Sequence, residues 1–350
     1  MTDVVTFSGT TKAHPSWSSP KPPEPLLSVA GLRVGFTAPD GSETTVAVDG
    51  VDLAIGAGRT LGLVGESGSG KSITCLSILR LLPERGHIIS GRIRFAGRDL
   101  GDLSQSEMQE LRGGDVAMIF QDPMSSLNPV KRVGWQIAEA LHLHEALSMG
   151  DAQKRAVDLL RQVGIPDPGS RARSFPHQLS GGMCQRVMIA MALACKPRLL
   201  IADEPTTALD VTIQAQILDL LRRLAEETGT AVILVTHDLA VVAETADDVA
   251  VMYAGRVVET GPVEQIFEAP RHPYTHGLLR SLPSRAGGTR RLPLIEGTVP
   301  APKDYPAGCR FAPRCGRAGD LCRQVSPSLS MTDQASGAVA CHHPLNGDVS

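Results

Sequence analysis

The chain has 350 residues, 42% of them hydrophobic and 3% aromatic, and its net charge is −3 at neutral pH. This length predicts two domains, or one large domain with an appendage, and the apolar content suffices for a large buried core. The acidic balance and the scarcity of aromatic residues argue against a nucleic-acid-binding protein, which typically presents a basic surface or aromatic rings on which bases stack.

No apolar run in the sequence approaches the ~20 residues that a membrane-spanning helix needs. The N-terminus also lacks the basic and then apolar pattern of a secretory signal. The sequence therefore predicts a chain that stays in the cytoplasm and reaches a membrane only through partners.

The first 25 residues are polar and rich in proline, which is typical of a disordered tail. From Leu26 the pattern becomes globular, and the alternating segments LLSVAGLRVGF and TVAVDGVDLAI predict β-strands. Short apolar runs typical of strands inside a parallel sheet are TLGLVG, VAMIF, RLLIAD and TAVILVTHD. Between the last two runs, apolar residues recur at helical spacing, at Ile213, Ile217, Leu220, Leu221 and Leu224. This order of strand, helix and strand predicts a βαβ unit and an α/β fold.

Amphipathic patterns, among them VGWQIAEALHL and AQKRAVDLLRQVG, lie between about residues 85 and 190 and predict a helical insert between two strands of the sheet. After about Pro270, proline and glycine become frequent and strand signals stop. We therefore expect a main domain over residues 26–270, with a helical part at about 122–190, and a small loop-rich extension over residues 271–350.

The segment GESGSGKS follows one apolar run and precedes a helical pattern, which is the full pattern of a phosphate-binding P-loop. Its residues are Gly65, Glu66, Ser67, Gly68, Ser69, Gly70, Lys71 and Ser72. The glycines allow backbone N–H groups to turn inward around phosphates, and the following helix adds its positive N-terminal end. Lys71 is expected to reach the β- and γ-phosphates, and the Ser72 hydroxyl to hold Mg²⁺.

Asp203 and Glu204 stand at the end of the apolar run RLLIAD. Asp203 is suited to hold Mg²⁺ through water, and Glu204 is suited to polarise an attacking water as a general base. Gln121 and His237 stand at the tips of two further predicted strands, after VAMIF and after AVILVT. Because neighbouring parallel strands end at one edge of a sheet, we expect His237 near the γ-phosphate and Gln121 near the metal.

A second glycine pair follows a serine at the start of another helical pattern, in LSGGMCQRVMIAMALA. Ser180, Gly181 and Gly182 have the composition of an anion cradle at a helix N-terminus. The chain therefore has one complete phosphate loop and part of a second one.

The order of these motifs resembles the ATP-binding subunits of ABC transporters over residues 26–260. The resemblance implies a P-loop ATPase domain with a parallel core sheet, an antiparallel β subdomain and a helical subdomain. It implies that two such domains pair head to tail, so that the P-loop of one and the LSGGM signature of the other enclose one ATP. Asp210 in ALD would lie at the dimer seam, and Phe36 would stack on adenine. One departure is Cys184, because the family usually carries Arg or Lys directly after the signature.

Further segments are similar to the ATPases of oligopeptide, dipeptide and nickel importers: FQDPMSSLNPV, FPHQLSGGM, HPYTHGLLRSLP and the cysteine-rich tail. This resemblance implies an ATP-hydrolysing motor of an importer, most simply for oligopeptides or dipeptides, at the cytoplasmic face of the cell membrane. The implied partners are a second, homologous ATPase subunit, two transmembrane permease subunits and an extracytoplasmic solute-binding protein. The contact surface with the permeases would be the loop that carries Gln121.

Other function classes stay open at this point. A non-transport ABC ATPase of translation or DNA repair usually has two fused nucleotide domains or a long coiled-coil insert, and this sequence has neither feature. A subunit that binds ATP without turnover is disfavoured by Glu204 and His237. An importer for nickel or another small solute remains an alternative, because solute recognition would lie on other chains.

The seven cysteines fall into two groups. Cys75, Cys184 and Cys195 lie singly in apolar helical patterns, where small buried side chains are expected. The others crowd into the C-terminal segment: Cys309, Cys315, Cys322 and Cys341. Clustered cysteines in a cytosolic chain favour metal over disulfides, but these spacings match neither a zinc ribbon nor a ferredoxin. The importer resemblance implies a [4Fe–4S] cluster. A zinc ion, with His342 or His343 in place of a thiolate, and metal-free cysteines are the alternatives.

Overall fold

The structure is a computed structural model that describes residues 24–207, 209–282, 294–331 and 337–346. The predicted N-terminal tail therefore lies almost wholly outside the described residues. The strands are β1 (Leu27–Thr37), β2 (Thr44–Ile55), β3 (Thr60–Val64), β4 (Gly86–Phe95), β5 (Arg98–Asp99), β6 (Val116–Ile119), β7 (Leu199–Asp203), β8 (Ala231–Thr236), β9 (Asp248–Tyr253), β10 (Arg256–Pro262), β11 (Ser330–Met331) and β12 (Ala338–Val339).

The helices are α1 (Lys71–Ile78), α2 (Gln105–Gly114), α3 (Pro123–Ser126), α4 (Val133–His144), α5 (Met149–Gln162), α6 (Pro168–Arg171), α7 (Gly181–Ala192), α8 (Val211–Thr228), α9 (Leu239–Thr245), α10 (Val263–Glu268), α11 (Pro273–Arg280) and α12 (Asp320–Gln324).

The strands form two sheets. The smaller sheet is antiparallel and has the order β2-β1-β4-β5, while the larger sheet has the order β11-β12-β10-β9-β3-β8-β7-β6. In the larger sheet β6, β7, β8, β3 and β9 run parallel to one another, and β10 pairs antiparallel with β9. Every residue of β7 and β8 is buried, as the continuous apolar runs predict for strands covered on both faces. The α/β fold with a parallel core and an antiparallel β subdomain is therefore confirmed.

Three helices between β6 and β7, namely α4, α5 and α7, pack into one apolar core with α8. In α5 the buried residues recur three to four positions apart, at Ala152, Ala156, Leu159 and Leu160, and form one face. The predicted helical insert is thus present. The stretch from about residue 85 begins, however, with β4, which pairs antiparallel with β1.

The C-terminal extension adds two short strands to the larger sheet. β12 pairs with β10, with Val339 opposite Glu259, and β11 pairs with β12. These two strands lie in the part of the sequence that shows no strand signals after about Pro270. Two-residue strands are too short to produce an alternating pattern, so the sequence carried no signal for them.

Aromatic rings join this extension to the main domain. Tyr253 at the end of β9 makes edge contacts with Tyr274 of α11 and with Phe311, at centroid distances of 4.7 and 5.2 Å. All three side chains are buried. Among the described residues, no helix has the length and apolar character that crossing a bilayer requires.

Candidate active site

The P-loop connects β3 to α1 at the end of the parallel sheet. Gly65, Gly68 and Gly70 have φ angles of 150°, 80° and 99°, which side chains other than glycine rarely adopt. A Cβ atom on Gly65 would also overlap the carbonyl oxygen of Met252 in β9. The conformation of the loop therefore requires glycine at these positions. Gly255, which lies outside the loop, donates its N–H to Ser69 O at 2.8 Å and holds the loop from that side.

Lys71 begins α1 and is 5% exposed. Its Nζ donates to Gly65 O at 2.7 Å and to Glu66 O at 3.0 Å, so the ammonium lies within the loop. Burial lowers the pKa of Lys71, whereas the carboxylates of Glu204 and Asp203 act to raise it. The lysine is thus close to both acidic side chains that the sequence singled out.

Ser72 and Asp203 lie side by side although they are far apart in sequence. The Ser72 hydroxyl donates to Asp203 Oδ1 at 3.1 Å. Burial raises the pKa of Asp203, while this hydrogen bond acts to lower it. A hydroxyl and a carboxylate oxygen in contact are ligands of the kind that Mg²⁺ prefers.

Glu204 is the centre of a second group of polar side chains. Its Oε2 accepts hydrogen bonds from Gln121 Nε2 at 3.1 Å and from Thr207 Oγ1 at 2.8 Å. Its Oε1 lies 3.5 Å from Nδ1 of His237. The sheet register explains this convergence, because Asp203 pairs with Val235 and the three strands β6, β7 and β8 end at the same edge.

Gln121, Glu204 and His237, which stand at or after the ends of three strands, therefore meet. Gln121 and His237 are exposed, and the His237 side chain keeps 66% of its surface accessible, whereas Glu204 keeps 18%. The Glu204 carboxylate is thus shielded, while Gln121 and His237 face solvent. The described hydrogen bonds join Gln121 to Glu204 and not to Ser72 or Asp203, so its metal contact stays a prediction.

The LSGGM signature forms the start of α7. Ser180 is the N-cap, and its Oγ accepts a hydrogen bond from the N–H of Met183 at 3.3 Å. Ser180 and Gly181 are exposed, and a Cβ on Gly181 would meet nothing within 4 Å. None of the hydrogen bonds described for the chain joins residues 180–182 to the P-loop. Cys184 is fully buried in α7 and directs its thiol to Pro176 O.

The two remaining predicted residues of the site are Asp210, which directly precedes α8, and Phe36, which lies in β1. Asp210 is the exposed N-cap of α8 and accepts the N–H of Ile213 at 3.0 Å. Phe36 is half-buried in β1, where it lies against Gly86 of β4.

The four C-terminal cysteines line one cavity together with His272, His342 and His343. None of them is in a disulfide. Burial raises the pKa of Cys309 and Cys315, and raises that of Cys341 to about 11. Among the described residues, however, no three His, Cys, Asp or Glu side chains converge as they would around a single metal ion.

A parallel sheet with a P-loop after one strand and an Asp–Glu pair after another is the architecture of a P-loop ATPase. Residues 48–207 match the family described as ABC transporter, and residues 258–322 match the family described as oligopeptide/dipeptide transporter, C-terminal region.

Curated relatives match over nearly the whole chain. The chain is 53% identical over 322 residues to the dipeptide transport ATP-binding protein DppD of Escherichia coli, which covers 92% of this chain and 97% of that protein. It is 52% identical over 321 residues to DppD of Haemophilus influenzae, with 92% and 96% covered. The chain therefore belongs to the ABC transporter family, as an ATP-binding subunit that hydrolyses ATP.

Solved structures agree with this assignment. The dimeric structure of MJ0796, a bacterial ABC transporter cassette, has a TM-score of 0.61 at 30% identity and covers 68% of this chain and 99% of that one. The structure of cbiO1 from Clostridium perfringens has a TM-score of 0.57 at 29% identity and covers 70% and 91%.

Two contacts of the site were missed from the sequence. The hydroxyl of Thr207 orients the Glu204 carboxylate. The available sequence signal was a threonine three positions after the glutamate. Arg314 contacts Glu66 in the P-loop, across 248 positions of sequence, and no local pattern points to it.

Proposed function

We propose that the chain is the motor of an importer for oligopeptides or dipeptides and works at the cytoplasmic face of the cell membrane. The observation that carries this proposal is the identity to DppD over nearly the full length of both chains, including the C-terminal region at residues 258–322. Its partners would be a second ATPase subunit, two transmembrane permeases and an extracytoplasmic solute-binding protein.

The nucleotide site would work through positioning and charge. The P-loop N–H groups and Lys71 bind the phosphates, after Lys71 exchanges its carbonyl partners in the loop for phosphate oxygens. Ser72 would hold Mg²⁺ directly, and Asp203 would hold it through water. The ion would supply neutralisation of the phosphate charge. Phe36 would stack on the adenine.

Hydrolysis would rest on Glu204 as the base. Gln121 and Thr207 both donate to its Oε2, so the carboxylate is held in one orientation and Oε1 remains to accept a proton from water. His237 lies beside that oxygen and would donate to the γ-phosphate or hold the water in line.

The second half of each site would come from a partner domain. Ser180, Gly181 and Gly182 present an exposed helix N-terminus that no group of the same P-loop occupies in the described hydrogen bonds. A similar cassette, MJ0796, is described as dimeric. Asp210 would lie at the seam, and closure around ATP would drive the permeases through the loop after Gln121.

We propose that the nucleotide-binding domain spans residues 26–270, with its helical subdomain at about 122–190, and that the importer-type extension spans residues 271–350.

We further propose that the four C-terminal cysteines hold a [4Fe–4S] cluster. The four thiols line one cavity and none of them is in a disulfide, so four thiols are available to hold one group. His342 is a weaker candidate ligand, because its Nε2 is 2.8 Å from Val325 O. The cluster would cross-link three segments of the extension.

Metal analysis of anaerobically purified protein tests this second proposal. We expect iron and acid-labile sulfide, both lost in Cys322→Ser and retained in the control Cys195→Ser. Zinc without iron would replace the cluster by an ion, and absence of both metals would refute metal binding.

Co-purification tests the motor assignment. The tagged chain, extracted with its membranes in mild detergent, should bring down two multi-span proteins and a second ATPase that mass spectrometry identifies. A set consisting only of ribosomal or DNA-repair proteins would contradict transport and favour a non-transport ABC ATPase.

A further inference from the structure

The C-terminal extension reaches the P-loop through Arg314. The Nη1 of this residue donates to Glu66 Oε1 at 3.1 Å. The Arg314 side chain is 6% exposed and that of Glu66 is 29% exposed, so water and salt screen this pair less than a surface ion pair. A residue outside the nucleotide-binding motifs thus contacts the loop that surrounds the phosphates.

Arg314 is held rigidly from the other side. Its Nε donates to Glu296 O at 2.8 Å, and its Nη2 donates to the carbonyls of Ile295 and Gly297 at 3.1 and 3.2 Å. The guanidinium also lies over the ring of Tyr253, 5.7 Å from its centroid. Because the guanidinium is planar, these contacts fix the direction in which Nη1 points.

Tyr274 makes a second contact with the same P-loop residue. Its hydroxyl accepts the backbone N–H of Glu66 at 2.9 Å. Tyr274 is fully buried in α11, so its hydroxyl has little freedom to move. Both the backbone and the side chain of Glu66 are therefore anchored by the extension.

Glu66 in turn contacts the lysine of the P-loop. Its carbonyl oxygen accepts from Lys71 Nζ at 3.0 Å, and the carbonyl of the preceding Gly65 accepts at 2.7 Å. A displacement of Glu66 therefore changes the position from which Lys71 reaches the phosphates.

The anchors belong to the segments that surround the cysteine cavity. Arg314 directly precedes Cys315, and Tyr274 directly follows Pro273, and both Cys315 and Pro273 line that cavity. Phe311, which also lines the cavity, packs against the Tyr274 ring at 5.4 Å.

We propose that Arg314 and Tyr274 are positioning residues for ATP binding, which act through Glu66 on the geometry of the P-loop. The cysteine-lined extension is then an integral part of the nucleotide site, and its folding state sets the affinity for ATP. This inference goes beyond the transport assignment and does not depend on which group the cysteines hold.

The test compares Arg314→Met, Arg314→Lys and Tyr274→Phe in the full-length chain, with Kd for ATP, KM and kcat as readouts. Loss of one charge-assisted hydrogen bond should raise Kd and KM about tenfold in Arg314→Met, with a smaller change in kcat. Arg314→Lys should recover part of the affinity. Arg323→Met, which removes an exposed arginine of the same extension, should leave Kd unchanged.

A purely structural role would give a different result, because partial misfolding lowers the active fraction and therefore kcat, without changing KM.

A double-mutant cycle with Glu66→Gln completes the test. If Arg314 acts through Glu66, the double variant binds ATP no more weakly than the worse single variant. Unchanged Kd in Arg314→Met and Tyr274→Phe, or additive losses in the cycle, would overturn the proposal. Absence of ATP hydrolysis in the wild type would instead contradict the motor assignment.

Discussion

Glu204 occupies a backbone conformation that few residues with side chains adopt, with a φ of 46°. Such strain costs free energy and persists where the surroundings hold it in place. Here its N–H donates to Val235 O at 3.0 Å, and its carboxylate receives two hydrogen bonds. The Glu204 carboxylate is thus shielded and held in one orientation, as its proposed role as a general base requires.

Replacement of this carboxylate by an amide should therefore separate ATP binding from hydrolysis. In Glu204→Gln we expect kcat to fall by about 10²-fold or more, since the amide cannot take a proton, while Kd for ATP stays nearly constant. Steady-state hydrolysis and equilibrium nucleotide binding measure the two effects. Glu227→Gln, an exposed change on α8, is the matched control. Hydrolysis at the wild-type rate in Glu204→Gln would refute the base assignment.

At the scale of elements, Ser180 caps the N-terminus of α7, and the same N-terminus is the proposed phosphate cradle. Ser148 caps α5 in the same way, by accepting the N–H of Asp151 at 3.2 Å. Ser180→Ala and Ser148→Ala should each lower the free energy of unfolding by about 1 kcal/mol. Only Ser180→Ala should also lower kcat, by roughly 10²-fold as for the loss of one transition-state donor. Equal hydrolysis by the two variants would show that Ser180 is a cap and nothing more.

The aromatic cluster between β9, α11 and the extension should contribute strongly to stability. Phe311 is 5% exposed and contacts Tyr253, Tyr274 and His272. Phe311→Ala should lower the free energy of unfolding by about 3–5 kcal/mol, because it removes a large ring and leaves a cavity. Denaturant unfolding measures this, with Leu294→Ala at a 79% exposed position as the control. A loss no larger than in the control would mean that the extension does not pack firmly on the main domain.

Over the whole molecule, the sequence predicted what is encoded locally. The P-loop, the strand-tip residues Gln121, Glu204 and His237, and the helical insert each have a short pattern of their own, and the parallel sheet brings the strand tips together. Contacts between distant segments had no such pattern. The pairing of β12 with β10 and the contact of Arg314 with Glu66 depend on how the extension folds back, which neither periodicity nor motif spacing records.

The P-loop and the LSGGM signature of this chain are the two halves of the proposed nucleotide site, and their separation suits a motor that works as a pair of domains. With a complete P-loop and an exposed N-terminus of the signature helix in the same chain, each proposed site would stay unfinished until a second domain arrives. ATP would then act as the ligand that joins two domains, and hydrolysis at Glu204 would release them. Uptake of solute should consequently depend on this one carboxylate, although the carboxylate never meets the solute.

The most direct test is dipeptide uptake by proteoliposomes that contain the chain with its co-purified membrane subunits and solute-binding protein. We expect ATP-dependent accumulation of a labelled dipeptide with the wild-type chain, loss of accumulation with Glu204→Gln, and retention with Glu227→Gln. Hydrolysis of ATP without accumulation of any dipeptide or oligopeptide by the wild-type complex would contradict peptide import. Accumulation that persists with Glu204→Gln would contradict the role of this chain as the motor.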